Sequence, residues 1–520
     1  MVAFSRNIRE ALRISRLPAL IDKEREKDKG GNSRTATDAR AKVERLTQEL
    51  ESLGNVTRFD YLDANFSDYP NGKLSHDDII AIATHLFEAN ATFRRITALR
   101  FPFILVDEAQ DTFEGIVNGL NTIATKNDLC TVGYFGDPWQ QIYDERAETF
   151  APPAGGTTVS KTENFRCSES VIRLLNAFRD DVKQVASGEN KGREGSVVFR
   201  LVKAETPELP RKRYSEPQID CALASMDSAL NDWGWSDRKD VMKLFLVRQM
   251  IARRMGFTQL NRLFNGAYAS SRAEEQFGKG EHFLLLPLTN AIHPLIAAHK
   301  ANDGRRVIDI LRDEAPAFAP DGPNASKTLK SMIEMSAKLV QQLTQMWKSE
   351  TIGEVLNFCV EHGIINTAEK LLEHLKRAPH TVKYDENTHS LDKGDWLADE
   401  FLKLNTAEVA NYASFISNNT AFSTQHGVKG EEYAKVFVVY DDVEASWSNY
   451  SFTRLLTPKA AGDPTDGQRT RGRNLAYVSF SRAMEDLRVL LFTPNPKAAR
   501  DELLARRLLR ADQIQIDQQT

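Results

Sequence analysis

The run Phe101-Pro102-Phe103-Ile104-Leu105-Val106 and the acids that follow it, Asp107-Glu108-Ala109-Gln110-Asp111, constrain this chain more than any other stretch. A short apolar run ending in two carboxylates reads as a buried strand that delivers acids to the carboxyl edge of a sheet. A second strand signal, Thr131–Phe135, ends in Gly136-Asp137-Pro138-Trp139-Gln140. A helical stretch of about 15 residues separates the two strands, which is the spacing of a strand–helix–strand unit. The fold class expected is therefore α/β with parallel strands. Acids at such a strand end suit Mg²⁺ and water: Asp107 to hold the metal and Glu108 to polarise the attacking water.

Length and composition narrow the class further. A chain of 520 residues suggests roughly three to four domains. A net charge of −4 supplies no global basic field, so any nucleic-acid site must be a local groove. Cys130, Cys167, Cys221 and Cys359 are far apart and form no CxxC pair. That argues against disulfides and a zinc site, and points to a reducing, cytoplasmic setting. No apolar run is long enough to span a bilayer, and Arg6, Arg9 and Arg13 have no apolar signal core behind them.

Along the chain, Val2-Ala3-Phe4 precedes a helical start, Asp22–Leu46 reads as a charged loop entering a helix, and residues 74–99 read as one or two helices. Strands are expected at Gly195–Val202, Met242–Val247, Val436–Tyr440 and Val489–Thr493. Pro379–Lys393 and Pro458–Arg473 read as polar loops, and Leu475–Ala483 as a strand leading into a helix start. Most of residues 205–415 looks helical.

Further polar motifs follow the first two. Gln140 is followed by Gln141-Ile142-Tyr143; a glutamine amide there can accept from water and donate to a phosphate oxygen. Asn164-Phe165-Arg166-Cys167-Ser168 offers a permanently charged arginine. Thr424-Gln425-His426-Gly427-Val428-Lys429-Gly430-Glu431-Glu432-Tyr433 comes next, and Tyr477-Val478-Ser479-Phe480-Ser481-Arg482-Ala483 last.

Taken in order, these five runs resemble motifs II to VI of the UvrD/Rep-like superfamily 1 DNA helicases. The resemblance covers roughly residues 100–495 and implies two RecA-like parallel-sheet domains, the first N-terminally incomplete, with a mainly helical insertion. The boundaries implied are 1–150 for a partial first domain with a small helical insertion at about 10–95, 151–204 and 416–500 for the second domain, 205–415 for the insertion, and 501–520 for a C-terminal tail. By the same resemblance ATP and Mg²⁺ are the cofactors. Asp107 binds the metal, Glu108 activates water and Gln140 senses the γ-phosphate. Arg166 and Arg482 act as arginine fingers, and Glu432 contacts the nucleotide. Single-stranded or partly duplex DNA would meet Phe4, Tyr143, Thr424 and His426, with Phe4 in a run similar to motif Ia. Aromatic stacking with local positive charge is the physics of such a track. Taken singly, these residues have plainer readings: strand-end acids in solvent, arginines in ion pairs, His426 as a structural histidine, Tyr143 in a core.

Two departures stand out. A phosphate loop needs Gly-x-x-x-x-Gly-Lys-[Ser/Thr], and the Gly-Lys pairs here, Gly72-Lys73-Leu74 and Gly278-Lys279-Gly280, do not fit it. If Phe4 lies in motif Ia, the expected missing piece is a strand–loop–helix unit on the order of 30–50 residues. Tyr143 is followed by Asp144-Glu145-Arg146 where the family carries a base-stacking tryptophan. The segment Leu244–Phe257, with Arg248, Arg253 and Arg254, reads as a strand entering a basic helix, most simply a solvated face. It is similar to one in helicases of anti-phage defence operons, the Gabija type among them, which implies a nuclease as protein partner. The expectation is an ATP-dependent DNA helicase or translocase lacking its phosphate loop, 3′→5′ by resemblance. The alternative is an inactive helicase-like module that binds DNA or a partner.

Overall fold

The computed structural model describes residues 2–28, 30, 34–62, 66–126, 130–143, 155–210, 213–236, 238–319, 322–324, 326–389, 392–417 and 420–517. It is a mixed α/β structure with parallel sheets and helical segments, consistent with a RecA-like fold. The chain divides into two compact units: residues 1–162 with Arg473–Tyr477, and residues 163–472 with 478–520.

The first unit begins with helices. Helix Val2–Ala11 starts at once, so Val2-Ala3-Phe4 is the first turn of a helix, not an extended triplet before one. The Phe4 side chain lies outside the described residues. Leu12, Leu17, Leu53, Tyr69, Leu74 and Ile82 form an apolar core. Asp78 is buried within it and accepts from Arg16 Nε at 2.8 Å, the Tyr69 hydroxyl at 2.8 Å and the Ser75 amide at 3.0 Å. These bonds hold its carboxyl below the ordinary range although burial alone would raise it. Helices His76–Ala89 and Ala91–Arg100 follow, within the stretch expected to be helical.

Strands β1 (Phe103–Val106) and β2 (Thr131–Tyr134) then pair in parallel, with Val106 opposite Tyr134. Helix Glu114–Lys126 connects them. Side chains alternate across a strand, and Ile104, Val106, Val132 and Tyr134 pack on one covered face. The other face is bare: Phe103 is 72% exposed, Leu105 68% and Phe135 56%. The sequence expectation of a fully buried strand is corrected here. A continuous apolar run reads as buried on both sides because parallel sheets are normally covered on both faces. Among the described residues, β1 and β2 pair only with each other, and no element covers Phe103 and Leu105.

The second unit is built on a six-stranded, all-parallel sheet. Its strands are β3 (Ser196–Lys203), β4 (Val241–Phe245), β5 (Phe422–Thr424), β6 (Tyr433–Tyr440), β7 (Ala483–Thr493) and β8 (Ile514–Ile516), in the spatial order β8-β3-β7-β6-β4-β5. The central strands β6 and β7 are buried over most of their length, as their Val, Leu and Phe content demands. β4 lies inside the stretch expected to be insertion, yet it pairs with both β6 and β5. The helical stretch between sheet strands therefore runs from Arg248 to Ile416. Its core stacks Phe264 on Phe277 at 4.7 Å and Phe277 on Tyr412 at 4.6 Å. Within it, Glu386–His389 forms a short helix in the stretch read as a loop.

Leu475–Ala483 is also corrected. Asp466–Ser481 is one helix, and the strand follows it from Ala483. Tyr477, Val478 and Phe480 favour strands in isolation, but a capping box between Thr465 and Gln468 starts the helix and burial of those side chains holds it. The same helix, with the short helix Pro458–Ala461, replaces most of the expected loop Pro458–Arg473. Among the described residues no helix is long and apolar enough to cross a membrane.

Candidate nucleotide and nucleic-acid sites

In the first unit, the ends of β1 and β2 place two motifs side by side. Asp107 and Glu108 leave β1 exposed, and the Asp107 carboxylate accepts from the Glu108 amide at 3.0 Å. Glu108 takes a left-handed backbone, φ 50°, an uncommon conformation for a side-chain-bearing residue, of the kind that strand-end functional turns hold. Gln110 joins the motifs. Its buried amide nitrogen donates to Glu108 Oε2, and its carbonyl oxygen accepts from the Asp137 amide at 3.1 Å. The Ala109 amide donates to the Phe135 carbonyl at 2.9 Å. Gly136 must be glycine because an added Cβ would lie 2.2 Å from Gln110 Oε1 and 2.9 Å from the Ala109 nitrogen.

The segment after β2 is capped by Asp137, whose carboxylate accepts from the Trp139 amide at 3.1 Å. Trp139 is buried 5.7 Å from the Tyr477 ring, with the Arg473 guanidinium 4.3 Å over its indole. Gln140 is half-buried and Tyr143 exposed. Residues 144–146, the acidic departure noted above, lie outside the described residues. Gln110 is the bridging residue that sequence reading passed over. Its signal was its place inside the Asp-Glu-Ala-Gln-Asp run, but its partner Asp137 is 27 positions away.

In the second unit the candidates fall on opposite edges of the sheet. Arg166, Glu432 and Arg482 gather where β6 and β7 begin. The Asn164 side-chain oxygen Oδ1 accepts from the amides of Arg166 and Cys167 at 2.9 and 2.8 Å. The Ser168 amide donates to the Met484 carbonyl at 2.7 Å. This turn aims Arg166 at Glu432, with Nε to Oε2 at 2.7 Å. Arg482 behaves differently. It is 1% exposed, its Nε donates to the Val478 carbonyl and one terminal nitrogen to the Glu431 carbonyl at 3.0 Å. The Tyr433 amide donates to the Arg482 carbonyl at 2.9 Å. Arg482 thus clamps the segment that carries Glu432, and in this arrangement its charge does not project outward. Burial pushes the neighbouring Cys167 thiol up to about 11.

Thr424 and His426 stand where β5 ends, beside the end of β4, since Phe245 pairs with Thr424. All the strands are parallel, so this is the edge opposite Arg166. The Thr424 hydroxyl accepts from the Gly427 amide at 3.1 Å, and His426 Nε2 lies 3.0 Å from the Tyr450 hydroxyl. On the same edge Glu444 is buried and paired with Arg254 at 2.7 and 2.9 Å and with Arg253 at 3.2 Å. The basic helix is therefore no solvated face: Arg253 and Arg254 neutralise an internal carboxylate.

A nucleotide with Mg²⁺ fits these residues in part. Asp107 and Glu108 are accessible carboxylates suited to a cation that keeps most of its water. Among the described residues no group of three or more His, Cys, Asp or Glu side chains could hold a metal by itself. Nothing in the sequence offers a glycine-rich cradle for the phosphates.

Residues 11–149 match the UvrD/REP helicase N-terminal domain, so the chain carries an N-terminal domain of that helicase family. The Gabija protein GajB of Bacillus cereus (strain HuB5-5) is a distant relative. It is 23% identical over 505 residues, which span 88% of this chain and 69% of that protein.

Proposed function

We propose that this chain is the motor portion of a UvrD-like, ATP-dependent DNA helicase or translocase, built on two RecA-like domains. Its phosphate loop would be supplied from outside these residues. The observation that carries the reading is the Gln110 bridge, which fixes Glu108 beside the Asp137–Gln140 segment at the carboxyl edge of two parallel strands. In this reading Asp107 holds Mg²⁺, Glu108 orients water and Gln140 faces the γ-phosphate. Arg166, being partly exposed, brings charge to the phosphates, and Glu432 meets the nucleotide. Arg482 acts by holding the Glu431–Glu432 segment. Mg²⁺ would supply charge neutralisation at the phosphates when bound. Tyr143, Thr424 and His426 would meet single-stranded DNA, with Phe4 a further candidate and 3′→5′ movement following from the resemblance. The Gabija-type likeness adds a nuclease as the proposed protein partner.

A second reading, a module that binds DNA or a partner without turnover, is favoured by one observation: no Gly-x-x-x-x-Gly-Lys-[Ser/Thr] occurs in the sequence. DNA-stimulated ATPase separates the two. The chain is assayed alone, with the extension encoded upstream of Met1, and with Glu108→Gln in each background. Turnover in the extended chain that Glu108→Gln abolishes is the expected result. No phosphate loop in frame upstream, or no turnover in the extended chain, would leave the binding module as the reading.

A further inference from the structure

The loop between β6 and Phe452 carries an aromatic side chain that the nucleotide chemistry does not use. Trp447 is 38% exposed, although the loop around it is tightly held. At its base the Asp442 carboxylate accepts from the Ser451 hydroxyl at 2.9 Å and from the amides of Phe452 and Thr453 at 2.9 and 3.1 Å. Higher up, Gln468 Nε2 donates to the Ser448 carbonyl at 2.8 Å and Arg471 Nε to the Asn449 carbonyl at 3.5 Å. Ser446 turns the chain through a left-handed conformation, φ 49°.

These bonds leave the indole braced on one side. Tyr450 is buried, stacks on Phe452 with an interplanar angle of 13°, and sits 4.8 Å from the Trp447 ring centre. His426 lies 5.7 Å from Trp447, its own ring tied to the Tyr450 hydroxyl. A large apolar ring, fixed in orientation and left part-open, still has apolar surface to cover. It can gain from a flat partner.

We propose that Trp447 is a base-stacking platform for single-stranded nucleic acid, set beside His426 at the carboxyl edge of the second sheet. The surroundings decide the partner class. Ser446, Ser448 and Asn449 are exposed and polar, and Arg471 brings a permanent charge to the loop. A single aromatic ring among polar groups and a cation suits one base and its phosphate. A protein partner would call for a continuous apolar patch. The inference rests on the nucleic-acid reading above and adds to it the residue that grips a base.

The test uses the full chain and two fluorescein-labelled oligomers of equal length, oligothymidylate and an abasic sugar-phosphate chain, read by anisotropy. Ribo- and deoxyribo-oligomers run in parallel to tell RNA from DNA. Wild type is expected to prefer the oligomer with bases. Trp447→Ala weakens that binding about 10-fold and leaves the abasic chain unaffected. Trp447→Phe keeps the packing and most of the affinity, but abolishes the indole quenching that wild type shows on adding oligothymidylate. Should Trp447→Ala prove unstable, that loss of quenching is the deciding measurement. Equal losses on both oligomers, unchanged binding by Trp447→Ala, or undiminished quenching in Trp447→Phe overturns the platform and leaves the DNA reading intact. Binding of neither oligomer by wild type overturns the DNA reading and the platform with it.

Discussion

Replacing Asp441 with asparagine should stabilise this protein in alkaline buffer and do almost nothing in acid. Asp441 ends β6 in a fully enclosed position. Its Oδ1 accepts from the amides of Val443 and Glu444, both at 3.0 Å. Its Oδ2 is buried with no hydrogen-bond partner among the described residues. Burial, and then the Glu444 carboxylate beside it, push the Asp441 carboxyl from the ordinary 3.8 up to about 7. The folded value lies above the unfolded one. This group's contribution is therefore present in full below about pH 4 and is lost as the pH rises through about 7. At about 1.36 kcal/mol per pH unit, keeping it ionised above pH 7 destabilises the fold by up to about 4 kcal/mol. Asparagine retains the accepting oxygen and the helix cap but no charge. The rise to about 7 is already net of the two amide bonds, which favour the ionised carboxylate. The net is about 4 kcal/mol at pH 8.5, or a rise of about 5 °C in melting temperature, falling to about 1.5 kcal/mol at pH 5 and to near zero below about pH 4. Thermal unfolding of both proteins at the two pH values measures it. The same difference at both, or a less stable variant at pH 8.5, would refute the reasoning.

Three other outcomes follow from the packing. Gly136→Ala drives a methyl into Gln110 and the Ala109 nitrogen; the first unit should lose about 1–3 kcal/mol in urea unfolding, and an unchanged midpoint would contradict the close approach. Glu444→Ala strands Arg253 and Arg254 in the interior and should lower stability by about 3–5 kcal/mol, with Glu444→Met/Arg254→Met recovering much of it in the same assay. On the bare sheet face, Phe103→Ser and Leu105→Ser should each shift stability by less than about 0.5 kcal/mol while reducing binding of an apolar dye. A loss of several kcal/mol would mean that this face is covered in solution.

Much of the skeleton was legible. Phe103–Val106, Thr131–Tyr134 and the centre of β6 read as strands because their apolar, β-branched runs are short and bounded by turn residues. Met242–Val247 was read as strand-like, but its membership in the second sheet was hidden, since pairing depends on neighbours 179 and 194 positions away in sequence. Tyr477–Phe480 misled because strand-forming residues sit in a helix whose capping box, Thr465 to Gln468, lies a dozen positions earlier. Leu105 misled in the opposite sense: its neighbours in sequence call for burial on both sides, and burial depends on what packs there.

By itself, the sequence determined that acids and a glutamine end two parallel strands, because strand periodicity and the strand–helix–strand spacing are local properties. It also determined that no Gly-x-x-x-x-Gly-Lys-[Ser/Thr] run lies within these residues. The tertiary structure alone decided which groups meet. Arg166 and Glu432, 266 positions apart, form an ion pair because the turn at Asn164 is pinned to the start of β7, next to β6. Arg482 follows an equally promising motif, yet its guanidinium is consumed by the carbonyls around it. A charge is available to a ligand only where burial and competing hydrogen bonds leave it so, and neither is written along the chain.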